Sequence, residues 1–268
     1  MYFFKFGNST GVKRAKRGLL GLCLAGLCMV LSGCGGSSEG EGALVVGTEA
    51  TYPPFEMTDD AGNIIGFDID LLKAVARATG LEVEFRDMDF DSLVPAIQGG
   101  NIDIGASGMS ITPLRLKQID FSDPYIEAGL VVAVGGSSQG ITGVDDLKGK
   151  RVAVQQGTTG AAKSEELLAA GKIGSLKYFP NVSVAMMELL NGAVDAVIND
   201  KPVTQAFVAK HPGKIKIVGG TLASDEYGFA IAKGREELLS QINEGLRLVK
   251  ESGEFDALIA KYFSSAEE

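Results

Sequence analysis

The segment GASGMSITPLRLKQIDFSDPY, residues 105–125, leads from a short apolar run into a loop of small hydroxylic residues. The apolar run, residues 102–106, is typical of a buried strand, and Thr112 begins a Thr-Pro pair that favours a helix start. Ser110 offers backbone and hydroxyl groups, and Arg115 offers a fork of N–H donors that matches a carboxylate. The segment therefore predicts a strand end that becomes a binding loop for a small anionic group. Taken alone, it is equally consistent with Arg115 as a surface arginine after a turn.

The rest of the chain alternates short apolar runs with amphipathic stretches. We predict strands over 44–48, 81–85, 151–154, 194–197 and 227–232, and helices over 66–79, 91–98, 161–170, 201–210, 236–251 and 254–263. Asp91 is a candidate cap for the second of these helices. Alternation of strands and helices favours an α/β fold with a mainly parallel sheet, in which ligands bind beyond the carboxyl ends of the strands.

One pattern of elements occurs twice. In residues 97–104 and again in residues 190–197, a helix end, a glycine turn and a strand are followed by polar residues, Ser107-Gly108 in the first case and Asn199-Asp200 in the second. The repetition predicts two similarly built lobes that each supply one polar cluster from a strand end. We predict a first lobe over 44–125 plus 228–268, a second lobe over 130–222, and a hinge formed by 126–129 and 223–227.

Composition excludes several classes of function. The three cysteines, Cys23, Cys28 and Cys34, all lie near the N-terminus, so the domain that follows has no disulfide or thiolate metal site. His211 is the only histidine, so we expect neither a multi-histidine metal site nor a histidine-based catalytic triad. We therefore expect no metal and no cofactor. The excess of 34 acidic over 25 basic residues argues against a nucleic-acid partner.

Residues 1–33 have the features of a lipoprotein signal peptide. Basic residues precede an apolar stretch, 18–30, that is too short for a typical membrane span. Leu31-Ser32-Gly33-Cys34 resembles a lipobox, after which a signal peptidase cuts and leaves Cys34 carrying lipid. Residues 34–43 predict a flexible tether of Gly, Ser and Glu. The alternative is an uncleaved anchor helix, and in both cases the domain is exported.

Further candidate site residues lie at predicted strand ends. Most aromatic side chains belong to the core, but the positions of Tyr52 and Phe90, beside Glu49 and Ser110, favour them as walls of a ligand site. The hydroxylic segment after Gln155 opens a helix whose N-terminus favours an anion near Thr159, although an ordinary capped helix explains the same residues. It is not a phosphate-binding loop, because no Gly-Lys-Ser/Thr follows.

Asp200 has two interpretations. It caps the helix over 201–210, or it serves as the counter-ion of an ammonium group, and one carboxylate can do both.

The motifs occur together in an order that resembles the amino-acid-binding branch, family 3, of the bacterial solute-binding proteins. They are the lipobox, GTEATYPPFE at 47–56, GFDIDL at 66–71, MDF at 88–90, the loop from Ser107 to Arg115, DFSDPY at 120–125, QGTT at 156–159 and IND at 198–200. The resemblance implies a bilobal periplasmic-binding-protein type II fold that closes on an L-amino acid. It also implies a binding protein, not an enzyme, which delivers its ligand to the permease and ATPase of an ABC importer.

The resemblance also implies a role for each candidate residue. Arg115 would hold the α-carboxylate, with help from Ser110 and the Thr159 amide. Asp200 and the Gly108 carbonyl would take the α-ammonium, again with Ser110. The remaining candidates would hold the side chain, with Tyr52 and Phe90 on its two faces and Glu49 and Gln155 at its far end.

We expect the residues at the far end of the ligand's side chain to determine which amino acid is bound. Glutamine-binding members often have lysine and histidine where this chain has Gln155 and Asn199. Because Glu49 is acidic and no basic residue is matched to that end, we expect arginine or another basic amino acid, with glutamine or a general polar ligand as the alternative. We expect a monomer, lipid-anchored to the cell membrane and facing the periplasm or the extracellular side.

Two other classes of protein use a similar fold. One is a cyclohexadienyl dehydratase-like enzyme, in which Glu49 or Asp200 would act as the general acid. The other is a sensor that signals on closing.

Overall fold

Two five-stranded sheets organise residues 42–263, the part of the chain that the computed structural model describes. In the first sheet the outer strand and two inner strands run parallel, and a late return strand pairs antiparallel with two neighbours. The order across this sheet is β5 (Val83–Asp87), β1 (Leu44–Thr48), β6 (Ile104–Gly105), β13 (Ala230–Ile231) and β7 (Asp120–Phe121).

The second sheet repeats this plan further along the chain. Three parallel strands lie beside two long antiparallel ones. Their order is β10 (Ser175–Phe179), β9 (Arg151–Gln155), β11 (Ala196–Asp200), β8 (Ile126–Gly135) and β12 (Ile215–Tyr227). A small third sheet contains β2 (Thr51–Tyr52), β3 (Glu56–Thr58) and β4 (Ile64–Ile65).

Helices connect the strands of both sheets, as parallel neighbours require. They are α1 (Phe67–Thr79), α2 (Phe90–Gln98), α3 (Pro113–Leu116), α4 (Thr159–Ala169), α5 (Val182–Leu190), α6 (Lys201–Lys210), α7 (Glu236–Glu251) and α8 (Glu254–Phe263), with a 3₁₀ turn at Val144–Leu147. The predicted bounds of α6, α7 and α8 are confirmed. The helix predicted over 161–170 begins earlier because the Thr158 hydroxyl accepts a hydrogen bond from the Ala161 amide at 3.1 Å and fixes the start at Thr159.

Two other predictions need correction. Asp91 does not cap α2: the extended residue before the helix is Asp89, and Asp91 is already in the first turn. The strand predicted over 227–232 is split, because β12 ends at Tyr227 and β13 covers only Ala230–Ile231.

The first lobe packs α1 and α7 closely against each other. A Cβ atom on Gly245 of α7 would lie 2.6 Å from a methyl group of Val75 on α1, so only glycine permits this approach. Phe55, Phe67 and Tyr227 are completely buried, and Phe55 packs edge to face on each of the other two rings. This aromatic core supports the strand ends and loops of the first lobe.

Two strands of the second sheet, β8 and β12, follow and precede the segments of chain that connect it to the first sheet. β8 and β12 pair antiparallel from Ile126 opposite Tyr227 to Leu130 opposite Ala223, so the two predicted hinge segments lie side by side. The predicted class, an α/β fold with two sheet-centred lobes, is confirmed, whereas the lobe boundaries and the bending of these segments stay predictions. The predicted signal peptide, Cys34 and most of the tether lie outside the described residues. Within residues 42–263, no helix is long and apolar enough to cross a membrane.

Candidate ligand-binding site

A small cavity lies between the two sheets, where loops from both lobes meet. The space between atoms there is about 250 Å³, with open solvent included. The residues that line it are Tyr52, Phe90, Ser107, Gly108, Ser110, Arg115, Gln155, Thr158, Thr159 and Asp200. Eight of the nine predicted binding residues are in this set. The ninth, Glu49, lies behind Gln155 and contacts it directly.

Arg115 is held rigidly at one side of the cavity. Its helix, α3, follows the cap residue Thr112, whose hydroxyl accepts a hydrogen bond from the Arg115 backbone amide at 3.2 Å. The guanidinium Nη1 donates to the Ser110 carbonyl at 2.8 Å and Nη2 donates to the Gly157 carbonyl at 3.0 Å, while its carbon lies 5.3 Å from the centre of the Phe90 ring. Burial lowers the pKa of Arg115, whereas the negative charge of Asp200 opposes that shift. A guanidinium has five donors, so this arrangement leaves donors for an anion.

Asp200 lies at the end of β11, across the cavity from the first lobe. Its Oδ2 atom accepts hydrogen bonds from the Tyr52 hydroxyl at 2.5 Å and from the Tyr227 hydroxyl at 2.6 Å. The Oδ1 atom is buried and has no hydrogen-bond partner among the described residues. Burial raises the pKa of Asp200, and the two hydroxyl donors lower it.

The capping role predicted for Asp200 is therefore wrong. Asp200 occupies the N-cap position of α6, but its side chain makes no capping hydrogen bond. Oδ2 instead accepts hydrogen bonds from the two tyrosine hydroxyls, and Oδ1 has no partner among the described residues. Tyr227 was not predicted as a site residue, because it lies within a predicted strand and nothing in its local sequence distinguishes it from a core aromatic residue.

Glu49 forms a second acidic group, at the Gln155 side of the cavity. One carboxylate oxygen accepts a hydrogen bond from the Thr51 hydroxyl, and the other accepts Nε2 of Gln155 at 2.9 Å. Burial raises the pKa of Glu49 to about 7, the two hydrogen bonds oppose that shift, and the charges of Asp87 and Asp89 add to it. This side of the cavity therefore has a negative potential when Glu49 is ionised.

Tyr52 and Phe90 both line the cavity, and their role as the aromatic walls of a ligand site stays a prediction. Phe90 also lies against the Arg115 guanidinium, so it supports the cation as well as the cavity. Gly108 lies in the left-handed region at φ +49°, and a Cβ atom there would be only 3.0 Å from the Tyr52 ring. Glycine is thus needed for the loop to pass so close to the aromatic wall.

The N-terminus of α4 faces the same cavity. Thr158 uses its hydroxyl to cap the helix and to donate to the Gln155 carbonyl at 2.8 Å. Thr159 is the first residue of the helix, where backbone amides have no partner within the helix. Ser107, a member of the first predicted polar cluster, lines the cavity as well. Thr158 also lines it, although in its segment only Gln155 and Thr159 were predicted as binding residues.

Hydrogen bonds between the two lobes close the cavity. Besides the contacts of Arg115, Gln155 and Tyr52, the side-chain Nε2 of Gln156 donates to the Asp91 carboxylate at 2.7 Å and the Ser183 hydroxyl donates to the Thr51 carbonyl at 3.1 Å. Gly157 also comes very near to Asp91, because a Cβ atom on this glycine would be 2.9 Å from that of Asp91. The lobes are therefore in direct contact at the edge of the site.

The sequence matches a known family over nearly all of the described residues. The model of the bacterial extracellular solute-binding proteins, family 3, covers residues 44–265. A probable histidine-binding protein of Neisseria gonorrhoeae is 36% identical over 252 residues, which cover 90% of this chain and 93% of that protein. The arginine-binding extracellular protein ArtP of Bacillus subtilis (strain 168) is 36% identical over 255 residues, with coverages of 93% and 98%.

Solved structures of amino-acid-binding proteins are similar to this chain as well. An ancestral arginine-binding protein bound to arginine has a TM-score of 0.80 and 45% identity, covering 84% of this chain and 99% of that one. An ancestral arginine-binding protein bound to glutamine has a TM-score of 0.78, 47% identity and coverages of 83% and 98%. The ancestral amino acid-binding protein AncCDT-1, a precursor of cyclohexadienyl dehydratase, has a TM-score of 0.76, 40% identity and coverages of 83% and 96%. The predicted bilobal fold is confirmed by these neighbours.

Proposed function

This chain belongs to family 3 of the bacterial extracellular solute-binding proteins, and we propose that it binds a polar L-amino acid, preferably arginine or another basic one, for an ABC importer. The observation that carries the proposal is the pairing of Arg115 with the free Oδ1 atom of Asp200 in one cavity. A zwitterionic amino acid needs one fixed cation and one fixed anion, both shielded from water. Each such charge-assisted hydrogen bond contributes about 1.5–3 kcal/mol.

The groups around the cavity fit the two ends of an α-amino acid. The α-carboxylate would bind Arg115, the Ser110 hydroxyl and the Thr159 amide. The α-ammonium would bind Asp200 and the Gly108 carbonyl. This assignment uses opposite charges from the two lobes, so a bound ligand would hold them together.

The preference for a basic side chain rests on Glu49. This carboxylate lies behind Gln155, and Asp87 and Asp89 make the surrounding potential more negative. A guanidinium or ammonium group at this end would gain a charge-assisted contact that a neutral amide lacks. The relatives named for arginine and for histidine support this choice.

Glutamine is the alternative ligand, and one observation favours it. Glu49 has a pKa of about 7, so near neutral pH a large fraction of the molecules carry an uncharged carboxyl group at this end. A neutral carboxyl group and the Gln155 amide would suit a carboxamide. The ancestral neighbour described with glutamine supports keeping this alternative.

Binding would be coupled to closure of the two lobes. A ligand shifts an open–closed equilibrium only by as much as it prefers the closed form. A ligand that contacts both Arg115 and Asp200 has that preference. Residues 126–129 and 223–227 would bend, and the permease and its ATPase would recognise the closed form. The protein would be exported, anchored by lipid at Cys34, and would act as a monomer on the periplasmic or extracellular side.

An enzyme on the same scaffold is the second candidate. A carboxyl group with a pKa near 7, as in Glu49, is suited to general acid catalysis, and one structural neighbour is a precursor of cyclohexadienyl dehydratase. Prephenate, however, carries two carboxylates and no ammonium group, so the buried Asp200 carboxylate would oppose it. That conflict favours the binding protein.

A thermal-shift screen tests the proposal. The purified protein, unfolded and refolded to remove carried-over ligand, is heated with each of the twenty amino acids and with ornithine, citrulline and prephenate. A ligand at 100 times its dissociation constant adds about 2.7 kcal/mol of stability. Shifts with arginine, lysine or ornithine are expected. A shift with glutamine alone would contradict the charge argument, and a shift with prephenate alone would contradict the importer function.

A further inference from the structure

The two oxygens of the Asp200 carboxylate are in different states. Oδ2 accepts hydroxyl hydrogen bonds from Tyr52 and Tyr227 at 2.5 and 2.6 Å, whereas Oδ1 is buried without a partner among the described residues. Buried carboxylate oxygens without a partner are costly and uncommon. The unequal hydrogen bonding of the two Asp200 oxygens therefore needs a physical explanation.

The two tyrosines reach Asp200 from different parts of the structure. Tyr52 belongs to the small sheet of the first lobe and lines the cavity. Tyr227 is the last residue of β12, at the crossing between the lobes, and it is not among the residues that line the cavity. The Tyr227 ring is completely buried and packs edge to face on Phe55 at 5.2 Å between ring centres.

The backbone of Tyr227 is fixed as firmly as its ring. Its carbonyl accepts the Tyr125 amide at 3.0 Å, and the residue forms an antiparallel bridge with Ser110. Its hydroxyl is consequently held in place by the first lobe and by the binding loop. A donor held in this way restricts the orientation of the carboxylate that it contacts.

We infer that Tyr227 is a positioning residue, whose hydroxyl joins that of Tyr52 on Oδ2 of Asp200 so that Oδ1 is kept free for the ligand's α-ammonium. The inference deepens the proposed function and rests on it. Tyr227 would not touch the ligand and would act only through Asp200. The hydroxyls of Tyr52 and Tyr227 also favour the ionised form of Asp200, which an ammonium group requires.

Removing one hydroxyl gives a specific expectation. In Tyr227→Phe the ring and its packing stay, but Oδ2 keeps only the Tyr52 donor, and the carboxylate is free to rotate away from the ammonium. The loss of a charge-assisted contact corresponds to about a tenfold weaker affinity. Only ligands with an α-ammonium group would be affected.

The experiment compares two ligands in matched variants by isothermal titration calorimetry. The ligands are L-arginine and 5-guanidinopentanoic acid, which lacks only the α-ammonium. In Tyr227→Phe we expect arginine to bind about tenfold more weakly and the second ligand to change by less than twofold. The control is Tyr262→Phe, which removes another tyrosine hydroxyl, one that donates to Asp70 at 2.7 Å away from the cavity; it should leave the ratio of the two affinities unchanged.

The possible outcomes separate the inference from the proposed function. Equal losses for both ligands in Tyr227→Phe would mean a structural role and would overturn the inference. Tyr52→Phe, which removes the other hydroxyl from Oδ2, should shift the ratio in the same direction and serves as a second variant if Tyr227→Phe does not fold. If the unchanged protein binds no amino acid at all, the proposed function fails, whereas strong binding with an unchanged ratio in both tyrosine variants contradicts the inference alone.

Discussion

Asp200 and Glu49 are both buried carboxylates beside one cavity, yet their hydrogen bonds and neighbouring charges differ. Both hydrogen bonds to the Asp200 carboxylate fall on Oδ2, which leaves Oδ1 free. The Arg115 guanidinium lies across the cavity. Glu49 has one donor on each oxygen, from Thr51 and Gln155. The neighbouring charges of Glu49 are negative, whereas Asp200 also has the positive charge of Arg115 nearby. The difference fits our proposal that Asp200 binds the ammonium group common to all α-amino acids and that Glu49 selects among side chains.

The largest expected effect comes from removing the shared carboxylate. Asp200→Asn keeps the shape but removes the charge, so the α-ammonium would be buried without its counter-ion. Breaking a buried, hydrogen-bonded charge pair costs about 2–5 kcal/mol. We expect arginine and glutamine to bind at least about thirtyfold more weakly, by similar factors, in calorimetric titrations. A loss for only one of them would show that Asp200 does not hold the common ammonium group.

The second effect is a pH dependence that we assign to Glu49. The pKa of this carboxyl is raised to about 7 by burial, so its charged form is lost as the pH falls through 7. A basic ligand needs the charged form, and its affinity should fall about tenfold between pH 8 and pH 6. Glutamine should show a smaller change. Titrations at several pH values check this, with Glu49→Gln, which cannot titrate, as the control whose arginine affinity should stay nearly constant.

The third effect concerns stability without a ligand. Because the folded pKa of Glu49 lies above the ordinary value of 4.5, its contribution to stability is present below about pH 4.5 and is lost as the pH rises through 7. Glu49→Gln removes that cost at high pH. We expect its midpoint of thermal unfolding to exceed that of the unchanged protein by several degrees at pH 8 and by much less at pH 5. An equal difference at both pH values would rule out titration of Glu49 as the cause.

The smallest effect tests the closed arrangement at a contact that neither carboxylate makes. Asp91→Ala removes the hydrogen bond from Gln156 that joins the lobes at an exposed edge. Exposed contacts of this kind contribute about 0.2–1 kcal/mol, so arginine and glutamine should both bind about two- to threefold more weakly. Glu84→Ala is the matched control, because it removes an exposed ion pair with Arg86 inside the first lobe. Different factors for the two ligands would mean that Asp91 influences specificity rather than closure.

The sequence predicted local features better than long-range ones. The predicted bounds of α7 and α8 agree with the structure, and the Thr112-Pro113 pair correctly marked the start of the helix that carries Arg115. The contact between Glu49 and Gln155 joins residues 106 positions apart. Only the resemblance to a family had placed those two side chains at the same end of a ligand.

The failures have physical causes. Asp89 and Asp91 are equally suited to cap α2 by residue type, and the extended backbone of Asp89 decides between them. Asp200 has the position of a helix cap, but Tyr52 and Tyr227 compete for its carboxylate from 148 and 27 residues away. Competition of that kind depends on how the lobes pack, and no local pattern records it. Tyr227 was missed for the same reason.

The most direct test of the central claim is the ratio of the affinities for arginine and citrulline, measured by calorimetry at pH 8 in the unchanged protein and in Glu49→Gln. Citrulline has nearly the shape of arginine but a neutral side-chain end. If Glu49 selects a charged side chain, the unchanged protein should prefer arginine at least about tenfold, and Glu49→Gln should remove most of that preference while citrulline binding changes little. Equal affinities for the two ligands in the unchanged protein, or a preference for arginine that survives in Glu49→Gln, would contradict the account.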